Sequence, residues 1–201
     1  MAAIIISADD IKKSLDDYDP NKSHLVHHQS TQLADKLFAK TVKSSEYDTI
    51  VLLSGGSASG KTEFVSEYLA DQQSIIFDGT LPSFDGAKIK ADLARRYHKR
   101  VLIKAIWPRD IKIAFAAFLE RERKYPDEFS YKTHSSSRKA LLEIAQSSLN
   151  IPIEIYENVF TGETLDFKQI LFEDNKKFID FIENHQYTEE ELLRLITKEN
   201  D

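Results

Sequence analysis

The chain has 201 residues, 41% of them hydrophobic and 30% charged, with a formal net charge of −6 and no cysteine. That length suits one domain with a substantial core, and the missing thiols exclude disulfide scaffolds, Cys-ligated zinc, Fe–S clusters and Cys nucleophiles. The acidic balance argues against indiscriminate nucleic-acid binding, and no apolar run approaches the roughly 20 residues of a membrane span.

In chain order, the start contains Ile4-Ile5-Ile6 but neither a basic flank nor a long apolar region. It does not read as a signal peptide, so a cytoplasmic protein is expected. Residues 7–43 read as two helices separated at Asp19-Pro20-Asn21, with a capping box at Ser7/Asp10 and an apolar face of Leu33, Ala34, Leu37 and Phe38. His24, His27 and His28 fall in a polar, loop-like stretch and read as that rather than as a metal site. Thr49–Leu53 is a β-branched-rich run that predicts a buried strand, and Phe64, Val65, Tyr68 and Leu69 mark the helix face that follows. Ser74–Phe77 predicts a second strand, ending at Asp78-Gly79-Thr80, and Ile89, Leu93 and Tyr97 a helix over about 86–98.

Val101–Trp107 predicts a third strand, closed by Pro108. Asp110 can cap a helix over about 111–124, apolar nearly all round until Glu120 and so expected to be buried on several sides. After the polar stretch Lys124–Ser137, Leu141, Leu142, Ile144, Ala145 and Leu149 mark another helix, and Ile151–Tyr156 a fourth strand. Residues 157–173 read either as a hairpin turning at Thr161-Gly162 or as an irregular loop. Lys176–Glu183 predicts a short helix, and Thr188 with Glu191 a capping box that opens the last one. Strands alternating with helices imply βαβ crossovers and a parallel sheet.

Only six glycines are present, and three of them fall within Ser54–Gly60. Gly55-Gly56-Ser57-Ala58-Ser59-Gly60-Lys61-Thr62 matches G-x-x-x-x-G-K-[ST] in full, between a predicted strand and a predicted helix. In that context the loop presents backbone N–H groups to phosphates, glycine keeps Cβ atoms out of the way, Lys61 bridges β- and γ-phosphate oxygens, and the Thr62 hydroxyl binds Mg²⁺. The expected fold is therefore a three-layer α/β/α P-loop NTPase with a mainly parallel sheet of about four to five strands, plus N- and C-terminal helices. One domain is expected, with residues 1–44 as an N-terminal helical segment, 45–160 as the nucleotide-binding core with a lid at about 120–137, and 161–201 as a C-terminal helical segment.

Asp78 follows Lys61 by 17 residues, room for one helix and one strand, so its strand is expected directly beside the loop strand. There it reads as the Mg²⁺-directed acid, or as a turn cap before Gly79. Neither Asn-Lys pair, at Asn21-Lys22 and Asn175-Lys176, continues to the Asp of a GTPase base-reading motif, and Gly79 stands where an AAA-type ATPase has Glu. A small kinase with an arginine-bearing lid remains. Arg121 and Arg123 at a helix–loop–helix junction read as phosphate clamps, or as a solvated helix end pairing with Glu120 and Glu122; His134 reads as a cap or packing residue.

With these features the chain resembles the zeta-toxin family of P-loop kinases. The resemblance is carried by the GGSASGKT loop, Phe77-Asp78-Gly79-Thr80 with Lys88 in the next helix, and the Ile106-Trp107-Pro108-Arg109-Asp110 strand exit. Arg121/Arg123-Tyr125-Pro126 with His134, and Tyr156-Glu157-Asn158, extend it over residues 45–160. It implies ATP and Mg²⁺ at Lys61 and Thr62, phosphate contacts from Arg121 and Arg123, a small-molecule acceptor such as a UDP-amino sugar, and an antitoxin or other protein partner. The family usually has an extra strand ending I-D-x-D, whose Asp serves as catalytic base, between the loop helix and the Asp78 strand; here the Asp78 strand follows directly, so either Asp78 or Asp85 takes that role or the acceptor differs. The competing reading is an ATP-binding switch or degenerate scaffold; phosphorylation of a nucleic-acid end is disfavoured by the net charge.

Overall fold

The apolar runs pair into one six-stranded sheet of order β1-β3-β2-β4-β5-β6. Its strands are β1 (Ile4–Ser7), β2 (Thr49–Ser54), β3 (Ile75–Asp78), β4 (Arg100–Pro108), β5 (Ile153–Phe160) and β6 (Leu165–Ile170). The first five run parallel, and β6 closes the far edge antiparallel to β5. The structure, a computed structural model, describes residues 2–160 and 164–197. The helices are α1 (Ala8–Lys13), α2 (His27–Ser44), α3 (Lys61–Phe64, continuing as a π-helical turn Val65–Leu69), α4 (Phe84–Arg96), α5 (Ile111–Leu119), α6 (Glu128–Gln146), α7 (Asn175–Asn184) and α8 (Glu189–Thr197). The fold is a three-layer α/β/α sandwich around a mostly parallel sheet.

Period-2 alternation along the strands sends side chains to two unequal cores. On one face Ile50, Leu52, Ile75, Phe77, Ile103 and Ala105 pack under α2, α4, α6 and α7, where the small residues Ala87, Ala91 and Ala94 bring α4 close to the sheet. On the other face Val51, Leu53, Ile76 and Ile106 pack under Phe64, Val65 and Leu69. Among the described residues no helix is long and apolar enough to cross a membrane.

Four expectations change. The sheet has six strands because Ile4-Ile5-Ile6 forms β1, with Ile6 buried in the larger core and Ile4 and Ile5 exposed. β1 lies parallel to β3 and takes the sheet position beyond the Asp78 strand. Helix α5 buries one stripe, Ala114 and Phe118, while Ile113 and Leu119 stay exposed, and it ends at Leu119 rather than near 124. The polar stretch before Leu141 is not a loop throughout: from Glu128 it is the first half of α6, whose Ser130, Thr133, His134 and Ser137 are buried. Residues 157–173 form a hairpin, Ile155 opposite Ile170 and Phe160 opposite Leu165; the turn expected at Thr161-Gly162 lies outside the described residues.

The capping box at Thr188/Glu191 is complete, while at Ser7/Asp10 only the N-cap half forms, the Asp10 carboxylate pairing with Lys13 instead. Asp10 N–H donates to Ser7 Oγ at 3.3 Å. Thr188 and Glu191 exchange hydrogen bonds, Thr188 N–H to Glu191 Oε2 at 2.8 Å and Glu191 N–H to Thr188 Oγ1 at 3.1 Å.

β1 yields a contrast for measurement. Ile6→Ala removes a side chain 1% exposed and is expected to cost about 2–4 kcal/mol in urea denaturation, against less than about 1 kcal/mol for Ile5→Ala, whose parent side chain is 45% exposed.

Candidate functional site

The loop leaving β2 is held by side chains from elsewhere in the chain. Asn158, ending β5, donates from Nδ2 to Ser59 O at 2.6 Å. Thr133 of α6 accepts from Ser57 N–H at 2.9 Å and donates to Ser130 O at 3.0 Å. His134 lies 2.9 Å from Ser57 O through Nε2. Burial, reinforced by Arg138, lowers its pKa to about 3, so the ring is neutral. Because a carbonyl only accepts, the ring carries its proton on Nε2. Glycine is required here by the protein itself: a Cβ on Gly55 would sit 2.3 Å from Ile106 O, and one on Gly56 would sit 2.2 Å from the His134 ring. Gly55 N–H also donates to Thr80 O at 3.3 Å, tying the loop to the segment after Asp78.

Lys61, the first residue of α3, folds its ammonium back onto this loop. It donates to Gly55 O at 2.9 Å, Gly56 O at 2.7 Å and Ser59 Oγ at 3.3 Å. Burial lowers its pKa to about 8, partly opposed by the charge of Asp78. The carbonyls stand where phosphate oxygens could replace them, as better partners for a desolvated cation.

Lys61, Thr62 and Ser57 form one wall of a cavity of about 310 Å³. Asp78, at the carboxyl end of β3, lines the same cavity, as do Arg121 and Arg123 from the loop between α5 and α6. Burial raises the pKa of Asp78 despite the opposing charge of Lys61. Among the described residues its carboxylate makes no hydrogen bond or ion pair. The two arginines differ. Arg123 pairs with Asp9 Oδ2 at 2.9 Å, while the Arg121 guanidinium makes no ion pair among the described residues, and burial together with Arg123 lowers its pKa. Thr62 hydroxyl and Asp78 carboxylate are hard oxygen donors of the kind Mg²⁺ prefers, and Asp78 carries the unmatched negative charge that such an ion would neutralise.

The sequence motifs thus converge: Ser57, Lys61, Thr62, Asp78, Arg121 and Arg123 line one cavity, while Gly55, Gly56, Ala58, Ser59 and Gly60 form the backbone behind it. Asp85, on the first turn of α4, is not among the lining residues, and Lys88 pairs with Asp92 on that helix's outer side at 2.5 Å. The lysine of α4 that reaches the cavity is Lys90, paired with Asp35 at 2.6 Å and 4.3 Å from the Phe77 ring centre. His24 and His28 stay outside, and His27 lines the cavity with Tyr125 and Phe129. Among the described residues no group of three or more potential ligands gathers to hold a metal.

Asp9, His27 and Thr133 were not singled out from the sequence as site components, and Tyr125 and Asn158 entered only among the residues that carry the resemblance. The apolar triplet before Ser7 was the signal for Asp9, because a strand there delivers the next residues to the carboxyl edge of the sheet, where open α/β sheets bind ligands.

No family model matches the chain, and no curated protein matches it. Solved structures of the AvrRxo1-ORF1:AvrRxo1-ORF2 complex are distantly similar. The native form shows 12% identity and a TM-score of 0.48, covering 78% of this chain and 72% of that one. The form with ATP shows 12% identity and a TM-score of 0.49, covering 72% and 66%. The form with sulphate ions shows 12% identity and a TM-score of 0.47, covering 79% and 78%.

The state of Lys61 sets a pH signature. With a pKa of about 8 it is half neutral at pH 8, and an incoming phosphate favours its charged form and raises that pKa. Calorimetric titration with ADP at pH 8, in buffers of different ionisation enthalpy, is expected to show uptake of about half a proton per site, absent in Lys61→Met; affinity falls as pH rises further.

Proposed function

We propose that this chain is an ATP-dependent phosphotransferase that moves the γ-phosphoryl group to a small-molecule hydroxyl, as a compact zeta-toxin-like kinase. The observation that carries the reading is the meeting of Lys61, Asp78 and Arg121 on the walls of one open cavity. A P-loop lysine, an otherwise unpaired carboxylate and an otherwise unpaired guanidinium are the parts that phosphoryl transfer needs.

In this reading the loop N–H groups and Lys61 hold the β- and γ-phosphates, the ammonium exchanging its carbonyl partners for phosphate oxygens. Thr62 and Asp78 would hold Mg²⁺, which when bound supplies neutralisation of phosphate charge. The acceptor hydroxyl enters beside Asp78. Its oxygen forms the new bond to phosphorus as the bond to the β–γ bridging oxygen breaks, Asp78 takes the hydroxyl proton, and ADP leaves. Arg121 stabilises the charge on the transferring group. The volume lies at the small end for ligand pockets and suits about one sugar ring, so a UDP-amino sugar would place its sugar there and its uridine diphosphate outside. An antitoxin or similar protein is the partner that the resemblance implies.

A second reading, an ATP-binding switch or degenerate scaffold, is favoured by one contact: Ser57 N–H, a donor the loop would offer to phosphate, is engaged by Thr133. The open cavity beside Asp78 favours the kinase.

Incubation of the protein with ATP and a metabolite extract separates the two. A +80 Da acceptor product in mass spectrometry is expected, reduced at least about 100-fold in Asp78→Asn and in Lys61→Ala. Nucleotide binding without any such product would establish the switch instead.

A further inference from the structure

The loop 120–127, which carries both arginines, is fastened to the first residues of the chain. Asp9 follows β1 and receives two cations, Lys12 Nζ at 2.8 Å and Arg123 at 2.9 Å. Lys12 is fully buried, donates also to the Tyr125 hydroxyl, and stands 4.8 Å from that ring's centre. Backbone Lys124 N–H donates to Pro20 O at 2.8 Å. Tyr125 stacks on Phe129 at 4.3 Å between ring centres, and His27 meets both rings edge-on. Thus a strand end, a buried lysine, a turn and an aromatic cluster all grip one loop.

The consequence falls on Arg121, two residues before the anchored Arg123. Its own guanidinium has no ion pair among the described residues, yet it lines the cavity with Lys61 and Asp78. A long side chain on an untethered loop would lose rotamer and backbone freedom on meeting an anion; fixing its neighbour removes part of that cost beforehand. We infer that Asp9 is a positioning residue: by holding Arg123 it fixes the loop so that Arg121 projects into the cavity, and the first residues of the chain thereby set how strongly the site senses a third phosphate. This rests on the nucleotide-binding reading above but not on the identity of any acceptor.

The test compares binding of the nonhydrolysable ATP analogue AMP-PNP with that of ADP, both with Mg²⁺, by calorimetry on the full chain. The wild type is expected to prefer the triphosphate by about tenfold or more, a preference that Arg121→Gln abolishes. Asp9→Asn and Arg123→Gln are each expected to reduce the preference, read as the ratio of AMP-PNP to ADP affinity, to about twofold or less, and Asp9→Glu to restore most of it. Adding Asp9→Asn to Arg121→Gln changes nothing further. Should Asp9→Asn fail to fold, Arg123→Gln breaks the same pair from the other side. A full triphosphate preference in a folded Asp9→Asn or Arg123→Gln protein, with only a lowered Tm, overturns the inference and leaves nucleotide binding intact. Equal wild-type affinity for the two nucleotides also overturns it. A wild type that binds neither nucleotide overturns the underlying reading, and this one with it.

Discussion

A backbone that turns between strand and helix without a regular ladder leaves its N–H and C=O groups to be satisfied one by one. In the loop 55–60 these partners come from a distance. Asn158 takes Ser59, Thr133 and His134 take Ser57, and Thr80 takes Gly55. The rest of the molecule is arranged to supply them: β5 has to reach Asn158 beside the loop, and α6 has to bury a polar first half under it. His134 makes the arrangement demanding, because its ring occupies the space a side chain at position 56 would need. It also has to be neutral, since a buried imidazolium would add to the positive charge of Arg138, Lys61 and Arg121.

The cavity is a meeting of charges in which most are already matched. Asp9 is shared between Lys12 and Arg123, and Asp35 pairs with Lys90. The exceptions are Asp78 and Arg121, which have no direct ion pair, and Lys61, whose hydrogen bonds go to neutral acceptors. Unmatched buried charge is expensive unless a function compensates for it. Anionic phosphates with a divalent cation are one ligand chemistry that complements two cations and a carboxylate together.

Much of this was legible in the chain itself, for identifiable reasons. A glycine-rich strand-to-helix loop carries local backbone demands, so Gly55–Thr62 announce themselves by spacing, and the short interval to Asp78 does place β3 directly beside β2. The N-terminal strand was not legible, because a short apolar run gains its meaning from the neighbour it pairs with, here Ile75–Asp78. The start of α6 was hidden for a related reason. Ser130, Thr133, His134 and Ser137 look solvated by composition, but they are buried through contacts that include hydrogen bonds to a loop far away in sequence. Apolar composition misled in the opposite direction at α5, where abundance was mistaken for burial and Ile113 and Leu119 face outward.

The order in which the chain is made gives β1 another significance. Of the six strands described here it is the earliest in the sequence, but its neighbour is β3, so it has no template until β2, α3 and β3 exist. Such non-local pairing forms late, since the intervening loop must close before the contact rewards it. Asp9 travels with that strand, and its partner Arg123 lies later in the chain still. The sheet and the loop 55–60 can therefore mature while the arginine segment is still unanchored. The anchoring of Arg123 becomes a late event in assembly, delayed until β1 is docked against β3.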